Sequence, residues 1–178
     1  YLKAHPVTLV FECVDMEHDP HVIEYPESRV ILLDIVRNRM EYEKYSYEQM
    51  RETAERLGLE HKELACVLPD WKAFADWYGQ VNGKDYTYRG QQIEGFVIED
   101  AAGRMVKLKG AYYRFWKQMR GLAREIAEKG GIDRRHVRLD AEGEAFCSWL
   151  TALYQGAGEK PEPRDICELR RRFLEERR

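Results

Sequence analysis

Residues 91–120 read QQIEGFVIEDAAGRMVKLKGAYYRFWKQMR, and this stretch decides the fold. Two short runs, IEGFVIE (93–99) and RMVKLK (104–109), flank DAAG (100–103), with Gly103 available for positive φ. That pattern predicts a β-hairpin. From Tyr112 the apolar period changes from 2 to 3.6. YYRFWKQMRGLAREIAEKGG (112–131) predicts an amphipathic helix stopped by Gly130-Gly131.

The charges on the hairpin need an explanation. Lys107 and Lys109 are two residues apart, so on a strand both ammonium groups point to one face. They repel each other, and neither is easily buried alone. An anion between them removes both problems, and phosphate suits lysine as a point charge. Glu94, at the start of the partner strand, could hold a Mg²⁺ shared with phosphate oxygens. The backbone of Gly95 would let a ligand approach closely. Taken singly, KxK on a strand reads as a solvated face and EG as a turn. Only their combination and order point to a site.

Outward from the hairpin, VTLVFECV (7–14) and RVILLDIV (29–36) read as buried strands, the second with both faces covered because polar alternation is missing. MEHDPH (16–21) is a turn centred on Asp19-Pro20, and HVIEY (21–25) a short strand. YSYEQMRETAERLGLE (45–60) predicts a helix with a Ser46–Gln49 capping box and Gly58 at its end. LPDWKAFADWYGQVNG (68–83) predicts another, capped by Asp70 and broken by Gly79 to Gly83, with Phe74, Trp77 and Tyr78 on its apolar face. Residues 140–155 follow as a helix capped by Asp140. PRDICELRRRFLEERR (163–178) is a last one with Pro163 near its start, after the linker 156–163. The organisation is α+β: a β-rich first part with two inserted helices, then an all-helical tail.

Composition sets limits. The chain has 178 residues, 44% hydrophobic and 34% charged, enough for a core. No run is long and apolar enough to cross a membrane, and no secretory signal is visible. Cys13, Cys66, Cys147 and Cys167 are scattered without a CxxC pair, which reads as free buried thiols in a reducing compartment. Residues 1–103 carry 11 Lys+Arg against 20 Asp+Glu, and residues 104–178 carry 18 against 12. A basic C-terminal part on an acidic body suits a polyanionic partner, or a helical surface laced with ion pairs. His18 and His21 bracket Asp19-Pro20 without a further ligand pair, which is weak support for a metal. Tyr112, Tyr113, Phe115 and Trp116 read first as the core side of a helix and second as a base-stacking surface. Arg114, Lys117 and Arg120 are left to face solvent or RNA phosphate. Arg170, Arg171 and Arg172 could contact RNA, or pair with Glu168, Glu175 and Glu176.

EGFVI (94–98) followed by VKLK (106–109) resembles motifs IV and V of the covalent nucleotidyltransferases, and LVFECV (9–14) resembles their motif III. DPHVIEY (19–25), RVILLDIVRNR (29–39) and YYRFWKQMR (112–120) are similar to the branch of phage-type RNA ligase 1 and fungal tRNA ligases. The resemblance covers roughly residues 5–125. It implies a partial adenylyltransferase domain over 1–125, built on antiparallel sheet; residues 126–178 follow, outside the resemblance, as a helical C-terminal region. It implies that Glu12 hydrogen-bonds the nucleotide ribose, Glu94 places the metal, Lys107 and Lys109 grip the α-phosphate, and Val97 packs against adenine. The implied cofactors are ATP and Mg²⁺ or Mn²⁺. The implied partner is RNA with 5′-phosphate and 3′-hydroxyl ends, tRNA among the candidates, in the cytoplasm. A lysine would become AMP-linked, the AMP would pass to the 5′-phosphate, and the 3′-hydroxyl would then release it. DNA ligases and capping enzymes fit less well, since a β-barrel usually follows their motif V and the sequence after Lys109 turns helical.

The family nucleophile sits in a KxDG-like motif upstream of motif III, and this sequence has none. Lys84-Asp85 has the wrong order and spacing. The expectation is that the chain is a piece of a longer ligase whose preceding segment carries that lysine, and that it does not self-adenylate alone. A split-enzyme subunit or a non-catalytic nucleotide- or RNA-binding module is the alternative.

Overall fold

The computed structural model describes residues 1–178 except Pro20, Ala157, Glu159 and Arg178. Pro20 of the expected turn and two linker positions therefore lie outside the described residues. The chain forms two compact units, one of Tyr1–Asp19 with Pro26–Pro69, the other of Pro20–Tyr25 with Asp70–Arg178.

In the first unit, β1 (Val7–Val14) pairs antiparallel with β2 (Arg29–Arg37). Helix α1 (Tyr47–Leu57) supplies Met50 and Ala54 to a core with Val7, Leu32 and Ile35. Its start is the expected capping box: Gln49 N–H donates to Ser46 Oγ, and Ser46 N–H to Gln49 Oε1. Gly58 closes it at φ 66°.

The expectation of two buried strands is corrected. Val10, Phe11 and Val30 are exposed, so neither strand is buried along its length. The missing alternation in RVILLDIV has a different cause. Val10 pairs with Asp34 and Phe11 with Leu32, leaving Leu33 as an extra residue in β2. That bulge resets the alternation, so Leu32 and Ile35, three apart, both reach the core.

In the second unit, β3 (Gly95–Glu99) and β4 (Met105–Lys109) form the expected hairpin. It is joined by α2 (Trp71–Val81), α3 (Ala111–Lys129), α4 (Ala141–Gln155) and α5 (Ile166–Glu175). Asp70 and Asp140 cap α2 and α4 as expected, accepting from Ala73 N–H and Gly143 N–H. Gly79 does not break α2, which runs through it to Val81. The last helix starts at Asp165, whose carboxylate accepts from Glu168 N–H, and not at Pro163. Helix α3 runs unbroken through residue 125.

The core here is helical. Trp116, Met119 and Ile126 of α3 meet Phe146 and Leu150 of α4 and Ile166, Leu169 and Phe173 of α5. The aromatic run therefore serves first as core. The segment 21–25 is not a strand but a bent piece of chain laid into this core, with Val22 and Ile23 buried. Two of its carbonyls are bonded by α5: Arg170 Nη1 donates to Val22 O at 3.0 Å, and Cys167 Sγ to His21 O. Arg171 pairs with Glu24 at 2.8 Å.

Candidate functional site

The hairpin has two unlike faces. Phe96 packs on Trp77, Tyr86 and Tyr88, with ring centroids 5.0–6.2 Å apart. The opposite face carries the pairs Gly95–Lys109, Val97–Lys107 and Glu99–Met105. This second face is open, with Val97 59% exposed. The turn is a residue longer than DAAG alone: Asp100 Oδ1 accepts from Ala102 N–H and Arg104 N–H, and Gly103 takes φ 76°.

At the open end the strands are drawn close. Gly95 sits at φ 144°, and a Cβ there would lie 2.0 Å from Leu108 O. Its missing side chain is thus needed by the partner strand. Gly110 N–H donates to Glu94 O at 2.8 Å, which locks the crossing. The consequence is a hydrogen-bonded ion pair between Lys109 Nζ and Glu94, both about a third exposed. Lys107 stands on the same face, exposed, two residues away.

The next turn of chain adds cation–ring contacts that the sequence reading missed. Tyr113 places its ring 4.7 Å from Lys109 Nζ and 5.6 Å from Lys117 Nζ. The signal was the i, i+4 spacing of Tyr113 and Lys117 on one helix face. Arg114 is not free for RNA as it stands: it donates to Lys109 O and to Asn82 Oδ1, tying the β4–α3 junction to the end of α2. Arg120 is half-buried. A cleft at this end is lined by Tyr78, Asn82, Gln92, Gly95, Lys109 and Tyr112.

Glu12 lies on β1 of the other unit, opposite Ile31, with its side chain exposed. Lys84 is held by Glu142 at 2.6 Å and Asp140 at 3.1 Å, over the Phe115 ring. Burial pulls its pKa down, but the two carboxylates more than offset that, leaving it above the ordinary lysine value. A lysine nucleophile needs the opposite shift.

The thiols are free, but only Cys147 and Cys167 are buried; Cys13 and Cys66 are exposed, a correction to the expectation. His18 turns to Asp15 at 3.2 Å, and among the described residues no group of three potential metal ligands occurs. Glu94 is a single carboxylate. That suits Mg²⁺, which binds through one or two carboxylates with waters and substrate phosphates rather than in an all-protein cage.

A protein-family model described as RNA ligase, of the phage T4 RNA ligase 1 type, matches residues 1–113. The chain belongs to this RNA ligase family. The match runs from the first unit through both strands of the hairpin and into α3. Glu12, Glu94, Gly95, Val97, Lys107 and Lys109 all fall inside it, and α4 and α5 lie beyond it. Comparison with curated proteins gives no match. RNA ligation is the reaction class of the family, and ATP with a divalent metal is its general requirement. No helix among the described residues is long and apolar enough to cross a membrane.

Proposed function

We propose that this chain is the nucleotide- and phosphate-gripping part of an ATP-dependent ligase that joins 5′-phosphate and 3′-hydroxyl RNA ends through enzyme–AMP and RNA–adenylate intermediates. One observation carries the reading: the hairpin brings Glu94, Lys107 and Lys109 to one open face. Without ligand, Lys109 is neutralised by Glu94. When the α-phosphate of ATP enters, its oxygens replace Glu94 as the partner of Lys109, and Lys107 grips from the neighbouring position. The freed Glu94 carboxylate would hold the Mg²⁺ or Mn²⁺, which would supply further neutralisation of phosphate charge. Both lysines stabilise the charge that builds on the non-bridging oxygens as pyrophosphate leaves. Val97, exposed beside Lys107, offers an apolar contact to the adenine ring. The family resemblance assigns Glu12 to the ribose; Lys117 and Arg120, on α3 beside the hairpin, contact RNA phosphates, with Arg114 joining them by releasing Asn82. The reaction belongs in the cytoplasm, where RNA and ATP meet.

The attacking lysine is none of those described here, since Lys84 is unsuited and no KxDG-like motif is present. That observation also favours a second reading, a module that binds nucleotide or RNA without catalysis. The chain incubated with labelled ATP and Mg²⁺ should acquire no covalent label; a labelled chain refutes this placement of the nucleophile. The site itself is tested by AMP affinity in Lys107→Ala. Losing a charge-assisted contact of about 1.5–3 kcal/mol should weaken binding roughly tenfold or more. Lys72→Ala, an exposed lysine of α2, should bind like wild type. Unchanged affinity in Lys107→Ala overturns the proposed site.

A further inference from the structure

The second unit holds a cavity of about 130 Å³ that the phosphate-gripping residues do not use. It has room for several waters. Its depth is formed by Trp116 and Arg170, 2% and 8% exposed. Tyr112, Gln92, Lys84 and Glu142 line it, and the exposed Asp85 and Leu174 stand at its mouth.

Four features specify a ligand. Gln92 Oε1 is buried without a hydrogen-bond partner among the described residues, so the cavity presents an acceptor that needs a donor. Arg170 is a buried cation whose contact with Glu24 is long, at 3.9 Å, so its guanidinium has donor capacity left for an acceptor. Its guanidinium lies 5.5 Å from the ring centroids of both Tyr112 and Trp116, a flat apolar surround. Lys84 and Arg170 balance Asp85 and Glu142, so the lining has no formal net charge and does not select a phosphate. A planar, uncharged ligand with donors and acceptors on one edge meets all four demands. That is the chemistry of an unpaired nucleobase, read by amide and charged side chains against aromatic faces.

Position agrees. Gln92 is two residues before Glu94 and Tyr112 three after Lys109, and both also line the cleft at the hairpin end. We propose that this cavity receives an extruded nucleobase of the RNA whose end is processed at the hairpin. The nucleobase assignment rests on the cavity; the RNA source rests on the ligase reading.

The test is nuclear magnetic resonance on the whole chain, following the Gln92 side-chain amide and the Trp116 indole N–H. The probes are a single-stranded oligocytidylate, the same strand with abasic riboses, and free cytidine. The base-bearing strand should shift both signals, the abasic strand neither, and Gln92→Leu should weaken the base-dependent binding about tenfold, the worth of a lost hydrogen bond. Free cytidine shifting both signals at equal concentration assigns the cavity to a free nucleoside and overturns the RNA source. Abasic RNA acting like the base-bearing strand, or base-bearing RNA leaving both signals in place, overturns the cavity proposal; neither needs a variant to fold. If base-dependent shifts persist while AMP affinity ignores Lys107→Ala, the cavity stands and the ligase reading fails. The reverse pair of results sinks the cavity alone.

Discussion

Substitution of Gly95 by alanine separates two roles for that glycine, room for a ligand and room for the partner strand. At φ 144° the residue lies where L side chains rarely go. A Cβ would stand 2.0 Å from Leu108 O, 2.8 Å from Lys109 Cα and 2.9 Å from Leu108 C. All three obstacles are backbone, so no rotamer change relieves them. A carbon–oxygen contact needs about 3.3 Å, so the strands must part by more than about 1 Å. Backbone strain of about 1–3 kcal/mol adds to a lost pairing bond of about 0.5–1.5 kcal/mol. With a urea dependence of about 2 kcal/mol per molar, the midpoint for the second unit should fall by about 1 M or more. The assay is urea unfolding followed by tryptophan fluorescence, with no nucleotide present. Gly79→Ala is the control: a Cβ there meets nothing within 4 Å inside α2. It should stabilise by about 0.5–1 kcal/mol. If Gly95→Ala unfolds at the wild-type midpoint and loses only nucleotide affinity, the reasoning about strand approach is wrong.

Thiol accessibility gives a second prediction. Burial pushes the Cys147 thiol up to about 11 and raises Cys167 as well, whereas Cys13 and Cys66 are exposed. A disulfide reagent at mildly alkaline pH should modify two cysteines quickly in the folded chain and four in urea; four fast thiols would contradict the core. Lys84→Met removes the ammonium between Asp140 and Glu142, whose side chains are 57% and 36% exposed. Solvent screening limits the loss to about 0.5–1 kcal/mol. The Gly143 N–H, and then Lys84, hold the Asp140 carboxyl below its ordinary 3.8. This stabilisation is present above that pH and fades as pH falls through the depressed value. The gap between wild type and Lys84→Met in urea midpoint should therefore close in acid; a gap that persists would show that Lys84 acts through packing on Phe115.

Much of the fold was legible because its signals are local. Ser46, Asp70 and Asp140 cap helices through bonds that span three residues, and the hairpin is a local pairing around Asp100 and Gly103. What misled was burial. VTLVFECV and RVILLDIV looked like central strands because apolar runs do not say how many neighbours a strand has. HVIEY looked like a strand because a short apolar, β-branched run does not say whether it pairs with another strand; its partner is α5, some 145 residues on. Glu94, Lys107 and Lys109 were legible from order and spacing, whereas Gln92, Lys84 and Arg170 carried no motif.

By itself, then, the amino-acid order determined the α+β class, the helix caps, the hairpin and the like-charged pair on one of its faces, all set by periodicity within a few residues. Tertiary structure alone decided that Gly95 serves the strand crossing, that Glu94 pairs with Lys109, and that Gln92 and Arg170 share a cavity. Those relations depend on which distant surfaces exclude water together, and no local pattern encodes that.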